Sequence, residues 1–217
     1  IYLTNSLEEH HPDTGTLFAN WLSTEANEAN YVKRDTPVMC VIGNPPYSVS
    51  SINKGPWIEN LITDYKKNLQ EKSYNSLSDD YVKFIRYGQH FIEKNENGIL
   101  AFISNNSFID GLVFRQMRKN LLECFDKIYI LDLHGNSKKK ETSADGTKDQ
   151  NVFDIMQGVS ISIFIKKNAT KKTNKCEIFH CDLFGMREVK YRFLLNQSLN
   201  NIEWKTLIPS EPNYYFI

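Results

Sequence analysis

The sequence predicts an α/β fold, an open sheet with helices on both faces, and three observations carry that prediction. Short continuous apolar runs rich in β-branched residues recur along the chain, stretches of helical apolar spacing separate them, and small, polar or proline residues close the runs. Continuous apolar runs fit strands buried on both faces, as in a parallel sheet. Strand alternating with helix is the pattern of a sheet wrapped on two sides.

The elements follow in order. Ile1-Tyr2-Leu3-Thr4 forms a short strand-like start with Asn5 at its end, and Phe18 to Tyr31, rich in Ala, Glu and Asn, is a first helix. Val38 to Ile42 is a strand, and Asp79 to Lys94 a helix that puts Tyr81, Phe84, Ile85, Gly88, Phe91 and Ile92 on one face behind a Ser78/Asp79 cap. Gly98 to Ile103 is the next strand, Gly111 to Phe125 the next helix, and Ile128 to Leu133 and Val159 to Ile165 two further strands. Between these last two, His134 to Gln157 is a long excursion containing the Ser/Lys-rich Asn136 to Lys140 and the turn cluster Asp145 to Asp149. Connections of this length are usually functional or mobile loops. Asn168 to Lys175 has the polar composition of a hairpin turn, so a strand over Cys176 to Cys181 is expected to pair antiparallel with Val159 to Ile165.

Composition narrows the function. The 217 residues carry 26 Lys+Arg against 26 Asp+Glu, a balance without the strongly basic signature of a nucleic-acid-binding domain. Mean hydropathy is −0.47, no apolar run approaches the roughly 18–20 residues that span a bilayer, and no signal peptide opens the chain. The chain starts at Ile1 without a methionine and has the look of a piece of something larger. Of the four cysteines, Cys176 and Cys181 flank His180, but no second ligand pair completes the four that structural zinc takes. Reduced thiols, a cytoplasmic location and no metal are the expectation.

Ligands of open α/β sheets bind at the carboxyl ends of the strands. At one such end stands Val41-Ile42-Gly43-Asn44-Pro45-Pro46-Tyr47-Ser48. A fixed tetrapeptide arises in a chain of this length about once in a thousand times under uniform usage. A Pro-rich turn with a capping Asn is one reading. The other is chemical. The exocyclic amine of a purine is a poor nucleophile because its lone pair is conjugated into the ring. A site that methylates it must accept both N–H bonds and leave the lone pair facing the methyl donor. The Asn44 side-chain oxygen supplies one acceptor and the Pro45 carbonyl a second, held by the fixed φ of the Pro-Pro step. Tyr47 offers a flat face to a base that has left the duplex, stacking being worth about 1–3 kcal/mol per base.

Asn44-Pro45-Pro46-Tyr47 resembles the catalytic motif of amino-methyltransferases, particularly the N6-adenine DNA methyltransferases, which use S-adenosylmethionine on a Rossmann-like sheet. The resemblance continues over most of the chain. Phe102 to Phe108 with Gly111 and Arg115 is similar to the next family motif, a strand end and helix entry lining the cofactor pocket, and Leu131-Asp132-Leu133-His134-Gly135-Asn136 to the one after. Asp145 to Ile155 followed by Gln157 to Ile161 resembles the methyltransferase region of large single-chain type I-like (ISP) restriction-modification polypeptides, which fuse a nuclease and a translocase to an adenine methyltransferase.

The resemblance implies catalytic Asn44, Pro45, Pro46 and Tyr47, and cofactor contacts at Asn5, Asn44, Ser107 and Phe108. Phe153 takes the place of an aromatic that packs on the flipped base, or is an ordinary core residue; Asn5 contacts the cofactor's adenine, where many relatives have Asp, or caps a turn. The family's Gly-x-Gly cofactor loop is absent from these residues and is expected upstream together with the first strands. Residues 1–190 would then be the later part of the catalytic domain and 191–217 a linker toward a target-recognition domain, with double-stranded DNA carrying a flipped adenine as substrate.

Lesser candidates are Lys138, Lys139 and Lys140, either phosphate contacts or solvated loop lysines, and Asn53 and Lys54, in a loop able to lie over substrate. Asp132 and His134 suggest an acid/base pair or a structural strand end, and Trp57 a packing residue. Two other functions share the motif. RNA bases or a glutamine side-chain amide fit the same two acceptors, and a binding module could keep the fold after losing activity.

Overall fold

The computed structural model describes residues 1–11, 20–47, 51–143, 146–167 and 175–217. After helix α1 (Asn20–Asp35) come strand β1 (Cys40–Gly43), helices α2 (Pro56–Lys66) and α3 (Asp80–Asn95), and strand β2 (Gly98–Asn105). A single turn α4 (Ser107–Asp110) leads into α5 (Arg115–Cys124), then β3 (Lys127–Asp132), β4 (Val159–Lys166), β5 (Glu177–Asp182), α6 (Arg187–Asn196) and β6 (Lys205–Leu207). All six strands form one sheet in the order β1-β2-β4-β3-β5-β6.

The sheet is mixed, which corrects the parallel sheet expected from the apolar runs. β1 and β2 are parallel, as are β3 and β5, but β4 runs antiparallel to both its neighbours, β2 and β3. Both hydrogen-bonding edges of β4 are therefore filled, so the strand that begins after Cys176 cannot pair with it. That strand, β5, instead takes the free edge of β3, and β6 adds antiparallel outside it. Apolar continuity reports burial and is blind to strand direction, so it could not distinguish these pairings. The expected opening strand at residues 1–4 is irregular chain, and residues 168–174 of the expected hairpin turn, with Ser48 and Asp145, lie outside the described residues.

One face is closed by α2, α3 and α5. Ile62, Tyr65, Ile85, Met117 and Leu121 from these helices pack on Leu100, Phe102, Ile128, Ile130 and Phe164 of the strands. Gly88 lets α3 approach β2, since a Cβ there would fall 2.5 Å from a Leu100 methyl. On the opposite face, Phe193 and Leu194 of α6 and Trp204 cover Leu131, Ile161 and Cys181. Helices therefore lie on both faces, but none of the described helices covers the β1–β2 end of the second face. Cys40 and Ile99 are partners there, Ile42 follows on the same side, and Ile42 is 78% and Ile99 42% exposed.

Residues 191–217 contribute to this architecture directly: the end of α6, β6, and Phe216, whose ring is fully buried in the main core and whose N–H donates to Ile109 O at 3.0 Å. The fully buried Arg118 ties the tail down. Its guanidinium donates to Phe108 O (2.7 Å), Gly111 O (2.8 Å) and Asn213 O (2.6 and 2.9 Å) and lies over the Tyr215 ring. Burial lowers its pKa to about 10, leaving it charged at neutral pH. Arg118→Ala strands three carbonyls and is expected to cost at least about 3 kcal/mol in urea unfolding; Arg118→Lys should recover only a minor part, because one ammonium cannot reach all three.

Candidate active site at the carboxyl ends of the strands

The tetrapeptide leaves β1 directly after Gly43, whose partner is Phe102 of β2. Pro45 is buried, which anchors the turn, while Asn44 is exposed. The Tyr47 hydroxyl donates to Asn44 Oδ1 at 2.9 Å and stands 3.3 Å from Ile103 O of β2. Tyr47 thereby orients the amide of Asn44, whose oxygen keeps a second lone pair for an incoming N–H. Burial pushes the Tyr47 pKa up to about 12, so the hydroxyl stays a neutral donor at physiological pH.

Phe153 faces this turn, with ring centroids 6.4 Å apart and planes at 43° to Tyr47. A stacked base occupies about 3.4 Å of rise, so a base held between two rings sets them about 6.8 Å apart. The observed rings are tilted, not parallel, at a separation usual for packed aromatics, so Phe153 would have to turn toward parallel for a base to lie between them. Phe153 is partly buried and packs at the margin of the smaller core cluster with Tyr47.

The chain beyond the tetrapeptide is pinned by α3. Fully buried Lys83 donates to Glu59 Oε1 (2.7 Å), Ser51 Oγ (3.3 Å) and Asn53 O. Asn53 Nδ2 donates to Asp80 Oδ1 (3.0 Å), and Asn5 Nδ2 reaches Asn53 Oδ1 (3.3 Å). Asn5 also caps its own turn, accepting from Leu7 N at 3.1 Å. Asn5, Leu7, Glu8, Ile52, Asn53, Lys54 and Gly55 line a cavity of about 320 Å³. Its amides and the Glu8 carboxylate suit the amines and hydroxyls of a nucleoside, and its size is at the lower end for small-molecule sites. These residues fit part of S-adenosylmethionine. Ser107 starts α4, its N–H bound by Asn105 Oδ1 at 2.8 Å, whereas Phe108 is fully buried against Tyr81 and presents no surface to a ligand.

At the ends of β2, β3 and β5 a polar network closes the sheet. Asp132 Oδ1 accepts from Asn106 Nδ2 and from His134 N, both at 2.9 Å, and His134 Nε2 pairs with Asp182 Oδ1 at 2.8 Å. Phe184 stacks on the His134 ring at 3.7 Å. Burial opposes protonation of His134, but the Asp182 hydrogen bond and the carboxylates of Asp132, Asp182 and Glu141 outweigh it and raise its pKa. The same hydrogen bond leads in lowering that of Asp182 despite partial burial. Asp132, His180 and Asp182 bring potential metal-ligand atoms within 4.8 Å of one another, although Asp182 is already engaged by His134. Asp132 and His134 thus act as a strand-end clasp.

Of the remaining candidates, Lys138, Lys139 and Lys140 are exposed; Asn136 Oδ1 caps the first two backbone N–H groups, and Lys139 pairs with Asp110 at 3.3 Å. Trp57 packs edge-on against Tyr87 and His90. Sequence reasoning missed Lys83, Asn151, Arg187 and Lys190. Lys83 and Lys190 are fully buried, and the available signal was a lysine at an inward helical position, Lys83 standing between Val82 and Ile85.

The His134–Asp182 pair makes a pH prediction. A raised histidine pKa stabilises the fold fully below about 6.5 and loses that contribution as pH rises through the folded value; a lowered aspartate pKa stabilises above about 3.9 and is lost as pH falls through its folded value. The pair should therefore contribute most between about pH 4 and 6.5. Asp182→Asn is expected to lower the His134 pKa in an NMR titration and to reduce the loss of stability between pH 6 and 8.

A family profile described as the Eco57I restriction-modification methylase matches residues 4–139. Among solved structures, the chain is similar to the ATP-dependent Type ISP restriction-modification enzyme LlaBIII bound to DNA, at 30% identity and TM-score 0.82 over 100% of this chain and 15% of that one. A nuclease-deletion mutant of the Type ISP restriction-modification enzyme LlaGI, in complex with a DNA substrate mimic, matches at 25% identity and TM-score 0.79 over 99% of this chain and 18% of that one. The DrdV–DNA complex matches at 27% identity and TM-score 0.74, over 90% and 19%. This chain thus spans less than a fifth of each of these proteins. No curated protein matches. The profile match over residues 4–139, together with an Asn-Pro-Pro-Tyr turn at a strand end, means that the chain belongs to the Eco57I restriction-modification methylase family.

Proposed function

We propose that this chain is the catalytic part of an S-adenosylmethionine-dependent methyltransferase that modifies the N6 amine of adenine in DNA, within a larger restriction-modification polypeptide. The observation that carries the reading is the Tyr47 hydroxyl bound to Asn44 Oδ1 at 2.9 Å, with Phe153 facing the Tyr47 ring. An oriented amide oxygen and two aromatic rings thus stand together at the end of β1.

The steps follow from these groups. An adenine leaves the duplex at a cost of a few kcal/mol and enters between Tyr47 and Phe153, each stack returning about 1–3 kcal/mol. Asn44 Oδ1 and the Pro45 carbonyl accept the two amine hydrogens, which turns the nitrogen lone pair out of conjugation and toward the methyl donor. When bound, S-adenosylmethionine would supply an electrophilic methyl group, its carbon–sulfur bond giving its electron pair to sulfur so that a neutral thioether leaves. Asn5 and Ser107 would hold part of it, with Asn44 bordering both ligands. Once the new C–N bond has formed, the amine gives up one hydrogen as a proton to water. No strong base is needed, and positioning supplies most of the rate.

The bare edge of β1 and the exposed Cys40, Ile42 and Ile99 beside it support the addition of further strands there, carrying the glycine-rich cofactor loop. DNA as substrate is supported by the DNA-bound LlaBIII and LlaGI structures, and an attached motor and nuclease by the ATP dependence of LlaBIII and by the nuclease that was deleted from LlaGI. Lys138 and Lys140 would meet phosphates at the rim.

Asn44→Ala in the full-length parent protein is expected to reduce methyl transfer from labelled S-adenosylmethionine to DNA by at least about 10²-fold, with DNA affinity changed by less than about threefold. Persistent methylation overturns the mechanism, and transfer to RNA or to a glutamine-containing peptide in place of DNA overturns the substrate. For Tyr47 the two functions separate. Tyr47→Phe keeps the ring and should lose about tenfold, the worth of one orienting hydrogen bond; Tyr47→Ala should lose clearly more.

A further inference from the structure

Helix α6 lies outside the catalytic motifs, yet it and the turn before it hold every residue from Asp149 to Asp154. Asp149 is fully buried, accepts from Gly185 N and pairs with the fully buried Lys190 at 2.7 Å. Lys190 also donates to Gln150 O (2.8 Å) and to Leu133 O at the end of β3 (2.6 Å). Tyr191 donates to Val152 O at 2.6 Å. Arg187 does the rest: its backbone N–H reaches Gln150 Oε1 (3.1 Å), its Nε Asn151 O (2.8 Å), and its Nη2 both Phe153 O (3.0 Å) and Asp154 Oδ1 (2.6 Å).

From the opposite side, Asn151 donates to Gly135 O and Gln157 O, and its Oδ1 accepts the Phe153 N–H at 2.8 Å. The Phe153 N–H and C=O are thus both fixed, one by Asn151 and the other by Arg187. With its peptide groups held, the ring has little freedom except side-chain rotation. A guanidinium can bridge Asn151 O and Phe153 O because its N–H donors sit in a rigid fork; a lysine ammonium cannot span both.

We propose that Arg187 is a positioning residue for base capture, holding Phe153 at the distance from Tyr47 that admits one planar base. This rests on the reading of Phe153 as the base-stacking wall. Arg187 never touches the base; it sets the spacing that lets Phe153 do so. A displacement of about 1 Å at such a wall is enough to lower rate on the order of 10²-fold.

The test uses the full-length parent protein and a DNA duplex with 2-aminopurine in place of the target adenine. Arg187→Ala should lower kcat by about ten- to a hundredfold, with a smaller change in KM for DNA. It should also move 2-aminopurine emission in the same direction as Phe153→Ala, while Arg187→Lys recovers only part of both. The double variant Phe153→Ala/Arg187→Ala should match Phe153→Ala within about threefold, because the two act as one unit. Losses that multiply in the double variant, or an Arg187→Ala enzyme at wild-type kcat beside an impaired Phe153→Ala enzyme, overturn the inference alone. A Phe153→Ala enzyme indistinguishable from wild type overturns the stacking reading and the inference together. A thermal midpoint measured for each variant separates positioning from unfolding: a loss of kcat that tracks a lowered midpoint and leaves the emission of folded enzyme unchanged counts against positioning.

Discussion

Strand β4 enters the sheet between β2 and β3 against the direction of both, and the site depends on that insertion. Because β3 runs out toward the carboxyl ends and β4 returns from there, the connection over residues 134–157 must begin and end on the same edge of the sheet as the Asn44–Tyr47 turn. Leu133 N to Val159 O and Val159 N to His134 O close its two ends at 2.9 and 3.1 Å. Phe153, within that connection, is thereby brought to Tyr47. With β4 anywhere else in the sheet, Phe153 would have no reason to face Tyr47.

Close packing at that junction leaves little tolerance. A Cβ on Gly158 would lie 2.7 Å from the Asn106 amide, and one on Gly135, in left-handed backbone at φ +84°, 2.4 Å from Asn151 Cα. Asn106 in turn donates to Asp132. The ends of β2, β3 and β4 are therefore joined by side chains that meet only because two glycines let them. His134 and Asp182 extend the clasp to β5, and Lys190 extends it to α6 through Leu133 O. Buried polar groups of this kind are costly unless partnered, and here the partners come from four separate stretches of chain.

Much of this was legible in order and little of it in space. The apolar runs located β1 to β5 within a few residues, and the helical spacing located α3, because burial leaves a periodic mark on sequence. The Asn-Pro-Pro-Tyr turn was legible because its chemistry needs those residue types side by side. Strand direction left no mark: Val159–Lys166 alternates Val159, Ile161, Ile163 and Ile165 with Ser160, Ser162 and Phe164 whether it runs with its neighbours or against them. The tail was also opaque, since the weight of Phe216 and Arg118 in the core rests on contacts with Ile109 and Asn213, respectively, far away in the chain.

By itself the sequence determined the local chemistry: an amide, a proline carbonyl and an aromatic ring at a strand end, in a family whose members methylate. Those groups are contiguous, and proline restricts the backbone between them. Only the tertiary structure decided that Phe153, a candidate by resemblance alone, faces Tyr47, and what holds it there. Phe153 lies more than a hundred residues beyond Tyr47 by their numbers, and Arg187 and Lys190 lie further still. Their meeting is set by which strand edge was free and by how closely glycine lets the chain approach, quantities that a linear pattern does not encode.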